Sequence, residues 1–298
     1  MIKKEKIIKN YIIKKNHKEF DNLKIFKNLQ TFFPQKIIFN NKEYINIRPD
    51  IIKALLKYNN IYHYSKQVFY LGLLYMDMII QSLPESIILK DQYEAYIINS
   101  IALSAKFYEV DLNSISFERF IECSNSKYNL HVEDLALNEV NCLKILNYKL
   151  NYFSIYDILN LLMDDYLGEL LNEDDDYIIS IINYPFNILE NIILSNITIK
   201  YSYIEISFCL IRKTNNYFKL GDDYLEKFNN KYNIKYSDYQ ECLQNIDNIL
   251  NSKSKNYYLD FNYKNDEHKK GHIQPNIEKK KNTDINKIYN YLFNISKI

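Results

Sequence analysis

The residues whose types suit catalysis or metal binding are few and scattered along the chain. The five histidines show no metal-ligand spacing, and the four cysteines contain no C-x-x-C pair. The acidic run at 173–176 has the charge to attract a cation, but such a run is more typical of a solvated loop. The sequence has no phosphate-binding glycine loop, no H-E-x-x-H motif and no nucleophile elbow. We therefore expect no enzyme activity, no bound metal and no cofactor.

One carboxylate is predicted to lie beside an apolar surface. Glu139 falls on the same helical stripe as Leu135, Cys142 and Leu146. Burying an unpaired carboxylate is costly, so a partner across a protein interface would explain its position. The alternative is an ordinary surface carboxylate beside the stripe.

The composition favours a helical protein that is neither a membrane protein nor a nucleic-acid-binding one. The 298 residues carry a net charge of +1, which gives no global attraction to nucleic acid or membranes. Four glycines and five prolines are too few for a strand-rich fold with many turns. No apolar run reaches the length of a signal peptide or a membrane helix. We expect a soluble protein with reduced thiols, located in the nucleus, the cytoplasm or both.

The apolar spacing predicts two successive sets of helices, at 45–160 and 161–251. In the first set, helices are predicted to begin at Pro49, Ser65 and Asp91 and to cover 117–123 and 132–147. The third of these is apolar on nearly every side between Ile97 and Ala105, so it should be a buried central helix. In the second set, helices are predicted at 158–171, 179–182, 188–194, 202–212, 223–228 and 236–250.

The two ends of the chain differ from this helical body. Residues 1–44 are lysine-rich and have helical spacing, which predicts a basic extension for targeting or partner binding, or a solvated helix packed on the domain. Residues 252–283 are polar and have the composition of a disordered linker. The final segment, 284–298, regains a helical stripe and is predicted to be a docking helix; the stripe is Ile285, Ile288, Leu292 and Ile295.

Three stretches of the first set resemble the cyclin box. Residues 69–77, FYLGLLYMD, are similar to the second-helix signature of cyclins, and residues 101–107, IALSAKF, are similar to the "LAAKFEE" end of the third helix. Asn138-Glu139 followed by LKILNY at 143–148 resembles the "ME…LKxLxF" pattern of the fifth helix. The resemblance implies an all-α cyclin fold, with a five-helix cyclin box at 45–160.

The second set resembles the C-terminal cyclin fold in a degenerate form. Residues 201–210 are similar to its buried helix, and Tyr236-Ser237 with Leu243 and Leu250 resembles its closing segment. The connection containing QSLP at 81–84 resembles the P-type, phosphate-signalling branch of cyclins. Many members of that branch have a single box, which does not agree with a second one here.

The resemblance implies a regulatory subunit that binds and activates a cyclin-dependent protein kinase. It makes Lys106 and Glu139 a polar pair that faces the kinase, and Arg48 and Asp77 a structural salt bridge between the first two helices. The alternative for Lys106 is a solvated lysine at a helix C-terminus. The apolar kinase-binding residues that it implies, each of which could instead be core, are Leu103, Phe107, Leu143, Tyr148 and Leu150.

Two departures from the family pattern concern other functions. The cyclin substrate-docking groove has a tryptophan where this chain has Ala54, and Asp50 adds an acid there, so we expect no such groove. A scaffold of the TFIIB type, on the same fold, would carry a zinc ribbon and a basic second repeat, which this sequence lacks. That scaffold and a plain helical adaptor are the alternatives to a kinase regulator.

Overall fold

The fold is all-α, as the sequence predicts. A computed structural model describes residues 42–83, 90–109, 116–124, 130–168 and 175–252. These ranges contain eleven helices and no strand. Apolar side chains from all of the longer helices join in a continuous core.

The first set contains five helices and the second contains six. The first five are α1 Lys42–Ile61, α2 Lys66–Ser82, α3 Lys90–Tyr108, α4 Phe117–Cys123 and α5 Val132–Ile145. The next six are α6 Ile155–Leu167, α7 Asp175–Ile192, α8 Ile197–Lys200, α9 Tyr203–Phe218, α10 Asp222–Tyr232 and α11 Tyr236–Ser252. Most predicted helices are present with ends shifted by a few residues. The four-residue α8 was not predicted, because one turn is too short to show periodicity.

Helix α3 is the buried centre of the first set, as predicted. Every side chain from Tyr96 to Ala105 is buried, and α3 packs against α1, α2 and α5. The contact with α2 is close because Gly72 offers no side chain. A Cβ atom there would lie 3.1 Å from Ser104 Oγ, which donates a hydrogen bond to the Val68 carbonyl at 2.9 Å.

Two proline positions correct the predicted helix boundaries. Pro49 lies inside α1, which begins at Lys42, and Pro185 lies inside α7, which was predicted as two pieces. A proline removes one backbone hydrogen bond and strains the preceding turn. Each proline has buried neighbours on its own helix, Arg48 and Ile51 in α1 and Phe186 and Leu189 in α7. Their packing in the core holds the helix together across the proline.

The second set is built around α9. This helix packs against α6, α7, α10 and α11. It begins with a capping box in which Ser202 accepts a hydrogen bond from the Glu205 amide and Glu205 accepts one from the Ser202 amide. Ser154 and Asp157 form the same motif at the start of α6. These two caps fix where the helices enter the core.

Aromatic and charged side chains join the two sets. The rings of Tyr70 and Tyr156 are stacked with centroids 5.4 Å apart, and Tyr156 also contacts Phe186 at 4.9 Å. Lys66 of α2 forms an ion pair with Glu190 of α7. The first and second sets are therefore packed against each other through side chains from both.

The predictions for the two ends of the chain lie outside the described residues. These are the basic extension up to residue 41, the linker from residue 253 and the docking helix at 284–298. Among the helices that the structure does describe, none combines the length and apolar character needed to cross a membrane.

Candidate functional site

Lys106 and Glu139 meet on the surface between α3 and α5. Lys106 lies in the last turn of α3, and its ammonium group forms an ion pair with the Glu139 carboxylate. The same ammonium lies 5.3 Å from the centre of the Phe117 ring, at the start of α4. The Lys106 side chain therefore contacts α4 and α5 as well as belonging to α3. Because Glu139 is paired within the chain, its position does not require an external partner.

The exposed side of α5 is unusually apolar. Leu135 and Cys142 face the core, and Glu139 stands at the edge of this buried stripe with 16% of its side chain exposed. On the other side, Leu137 is 65% exposed and Val140 is 42% exposed. We call Leu137, Val140 and Tyr148, with the partly exposed Leu143, the α5 face. Large apolar side chains grouped in water are typical of an interaction site.

The other predicted kinase-binding residues occupy different depths. Leu103 is buried in the core, so it does not form part of the exposed surface. Phe107 and Leu143 are half-buried against the core. Leu150 is also half-buried, and its carbonyl accepts a hydrogen bond from Tyr75 Oη at 2.6 Å.

Tyr148 projects from a turn with an uncommon backbone conformation. Asn147 and Tyr148 both have positive φ angles, of 53° and 56°. This region suits asparagine but costs an aromatic residue about 1–2 kcal/mol. Hydrogen bonds from the Asn147 amide to the Lys144 carbonyl at 3.0 Å and from the Tyr148 amide to the Leu143 carbonyl at 2.8 Å hold the turn. They hold Tyr148 in the turn that follows α5, where the residue is 65% exposed.

Arg48 and Asp77 form a fully buried ion pair between α1 and α2. Arg48 Nε lies 2.9 Å from Asp77 Oδ1, and Arg48 Nη2 lies 2.8 Å from Asp77 Oδ2. Tyr44 Oη donates to Asp77 Oδ1 at 2.6 Å. Arg48 also donates to Thr198 Oγ1 at 2.9 Å and to the Ser195 carbonyl at 3.4 Å, both in the second set. The guanidinium group thus joins the first set to the second.

The titration of this cluster follows from burial and from the Asp77 charge. Burial by itself lowers the pKa of Arg48, but the Asp77 carboxylate outweighs that effect and the net pKa is raised. Burial and the same carboxylate raise the pKa of Tyr44 well above its usual value. Arg48 is therefore charged and Tyr44 neutral at neutral pH.

The described residues contain no group of three or more histidine, cysteine, aspartate or glutamate side chains that could hold a metal ion. The four cysteines are free thiols, three of them buried. The surface described above can bind another molecule through apolar and polar contacts, but it presents no nucleophile beside a base.

Sequence reasoning identified the charged residues of this region but missed part of its apolar surface. Leu137 and Val140 were not singled out, although both fall outside the stripe of Leu135 and Cys142 and so show as apolar residues on the solvent side of the helix. The contact between Arg48 and Thr198 had no signal in the sequence, because it joins positions 150 residues apart.

The sequence matches no protein-family model and no curated protein.

Proposed function

We propose that the chain is a cyclin, a regulatory subunit that binds a cyclin-dependent protein kinase and activates it. The observation that carries the proposal is the exposed α5 face, on the same helix that supplies Glu139 to the Lys106–Glu139 pair. The sequence motifs that resemble the cyclin box assign kinase binding to this same region. The all-helical fold and the five helices of the first set are consistent with the proposal.

The α5 face has the composition of a protein-binding surface. Its large side chains are leucine, valine and tyrosine, and the bulk of such a side chain gains free energy when a partner covers it. The ion pair and the hydrogen-bonded turn at 147–148 hold the surrounding backbone in place before any partner arrives. A surface that is already ordered loses less conformational entropy on binding.

Activation would follow from preferential binding to one kinase conformation. An inactive kinase keeps the glutamate of its αC helix away from the lysine that positions ATP. A subunit that binds the active arrangement more tightly shifts the population toward it. Reversing a 1:99 equilibrium to 99:1 takes about 5.5 kcal/mol of differential affinity, which a large apolar interface can supply. The chain would contribute no catalytic group.

The direct test is recovery of an active kinase. The tagged full-length chain is incubated with native extract from its source cells, and bound proteins are identified by mass spectrometry. The recovered kinase is then produced alone and assayed with and without the chain. We expect phosphorylation to depend on the chain. Absence of any kinase whose activity the chain raises would refute the proposal.

A pair of variants localises the interface. Replacing Lys106 and Glu139 together by alanine should weaken kinase binding by about 2–5 kcal/mol, measured by calorimetry. The matched control is the double alanine variant of Lys213 and Asp247, which form a similar partly exposed ion pair between α9 and α11. Both variants should keep the circular dichroism of the unaltered chain. Equal kinase affinity in all three proteins would show that the kinase binds elsewhere.

A further inference from the structure

Two buried thiols lie on helices of the second set that pack against each other. Cys209 of α9 and Cys242 of α11 are both free and fully enclosed, and their helices pack together. Cys209 Sγ lies 3.4 Å from the Tyr239 carbonyl, to which it donates a hydrogen bond. Tyr239 is one turn before Cys242 on the same side of α11. The Cys209 thiol therefore lies against the turn of α11 that leads to Cys242.

The other two cysteines are placed differently. Cys142 is just as buried, but its thiol donates to Asn138 Oδ1 at 3.4 Å, on its own helix. Cys123 is half-buried at the end of α4. Helices α4 and α5 pack against each other, but the Cys142 thiol is directed to Asn138 of its own helix. The Cys209 thiol differs because it donates to the neighbouring helix, one turn from Cys242.

We propose that Cys209 and Cys242 form a reversible disulfide that locks α11 onto α9 when the chain meets a small-molecule disulfide such as oxidised glutathione. One cysteine thiolate attacks the glutathione disulfide, forms a mixed disulfide and releases a glutathione thiolate. The second cysteine thiolate then attacks the protein sulfur of the mixed disulfide and releases the other glutathione. The two protons lost by the cysteines end on the two glutathione thiols. The pair of electrons lost by the cysteines reduces the oxidant.

Burial controls how fast this exchange runs. It raises the pKa of the Cys209 thiol, and the neighbouring Cys242 raises it further, so little thiolate exists in the closed core. Exchange must then pass through brief openings of α11, the last described helix of the core. Dilute urea, below the concentration that unfolds the protein, should speed the reaction by making such openings more frequent.

The test uses the full chain and does not depend on the proposed function. The protein is incubated with oxidised glutathione, with and without dilute urea, quenched with acid, alkylated and mapped by mass spectrometry. We expect a peptide in which Cys209 is joined to Cys242, faster formation in urea, and a melting temperature about 5–10 °C higher that returns to its first value with dithiothreitol.

Serine variants make the assignment specific. C209S and C242S should each lose the cross-link and the rise in melting temperature, while C142S should behave as the unaltered chain. If a variant folds poorly, the cross-linked peptide identified by mass spectrometry in the unaltered chain still tests the proposal. Recovery of Cys209 and Cys242 as free thiols or as glutathione adducts in dilute urea would overturn the proposal, as would loss of the cross-link in C142S.

Discussion

Replacing Asp77 by alanine should remove a large part of the stability of the fold. Asp77 accepts two hydrogen bonds from Arg48 and one from Tyr44, and all three side chains are buried. Without Asp77, the Arg48 charge keeps only two neutral acceptors, Thr198 Oγ1 and the Ser195 carbonyl. Breaking a buried ion pair by removing one partner costs about 3–5 kcal/mol, because the other charge remains buried without compensation. The free energy of unfolding should fall by this amount.

The assay is equilibrium unfolding in urea, arranged as a double-mutant cycle. Asp77→Ala and Arg48→Met are measured separately and together. The double variant buries no charge in this cluster, so its cost should be about 1–3 kcal/mol less than the sum of the two single costs. Costs that add to within about 0.5 kcal/mol would show that the two residues do not interact, and the reasoning would be wrong.

An exposed ion pair on the same helix provides the control. Asp50 and Lys53 of α1 form an ion pair at 3.0 Å, with 80% and 54% of their side chains exposed. Water screens this attraction, so Asp50→Ala should change the free energy of unfolding by at most about 0.5 kcal/mol. A cost similar to that of Asp77→Ala would mean that burial does not determine the effect.

Two further changes test packing and titration. Gly72→Ala should destabilise the protein by about 1–3 kcal/mol in the same urea assay, because the new methyl group would press on Ser104. Helix propensity alone predicts the opposite, since alanine favours a helix more than glycine does. A stabilised variant would therefore contradict the close packing of α2 and α3. Burial raises the pKa of Asp157 despite hydrogen bonds from Ser154 and Tyr108. Because the pKa of Asp157 is higher in the folded state, protonated Asp157 stabilises the fold at a pH below its unfolded-state pKa of about 3.9. This contribution is lost as the pH rises through the folded-state pKa. The unfolding free energy of the unaltered chain, relative to Asp157→Asn, should therefore fall from about pH 4 to pH 7, and a constant or rising difference would refute the burial argument.

The helical content could be predicted from the sequence because its signals are local. The apolar run from Ile97 to Ala105 specifies a buried helix by itself, and Ser65 and Ser202 mark helix starts through their position before an apolar series. Pro49 misled the prediction because a proline signals a boundary locally, whereas the packing that overrides it comes from distant residues. Residues 183–187, around Pro185, lie outside the predicted helices, yet α7 runs through them. Local pattern and tertiary packing disagree at these two positions.

The candidate site shows the same division. A resemblance to motifs was enough to pair Lys106 with Glu139 as residues of one surface, but their direct ion pair depends on the crossing of α3 and α5. Leu103 was predicted to bind the kinase because a leucine suits an apolar interface. Its burial in the core becomes visible only in the three-dimensional structure. The placement of Cys209 and Cys242 on neighbouring helices could not be predicted either, because the sequence does not show that α9 packs against α11.

The bonds from Arg48 to Thr198 and the Ser195 carbonyl bear on how the chain can be divided. A fragment that ends before residue 195 would keep the guanidinium group of Arg48 but lose both of these acceptors. A fragment that ends before residue 186 would also expose the ring of Tyr156, which Phe186 now covers. The two helical sets are therefore not interchangeable modules. A duplication that once produced them would since have become dependent on both copies, and truncated versions of the chain would be substrates for quality-control proteolysis instead of miniature versions of the whole protein.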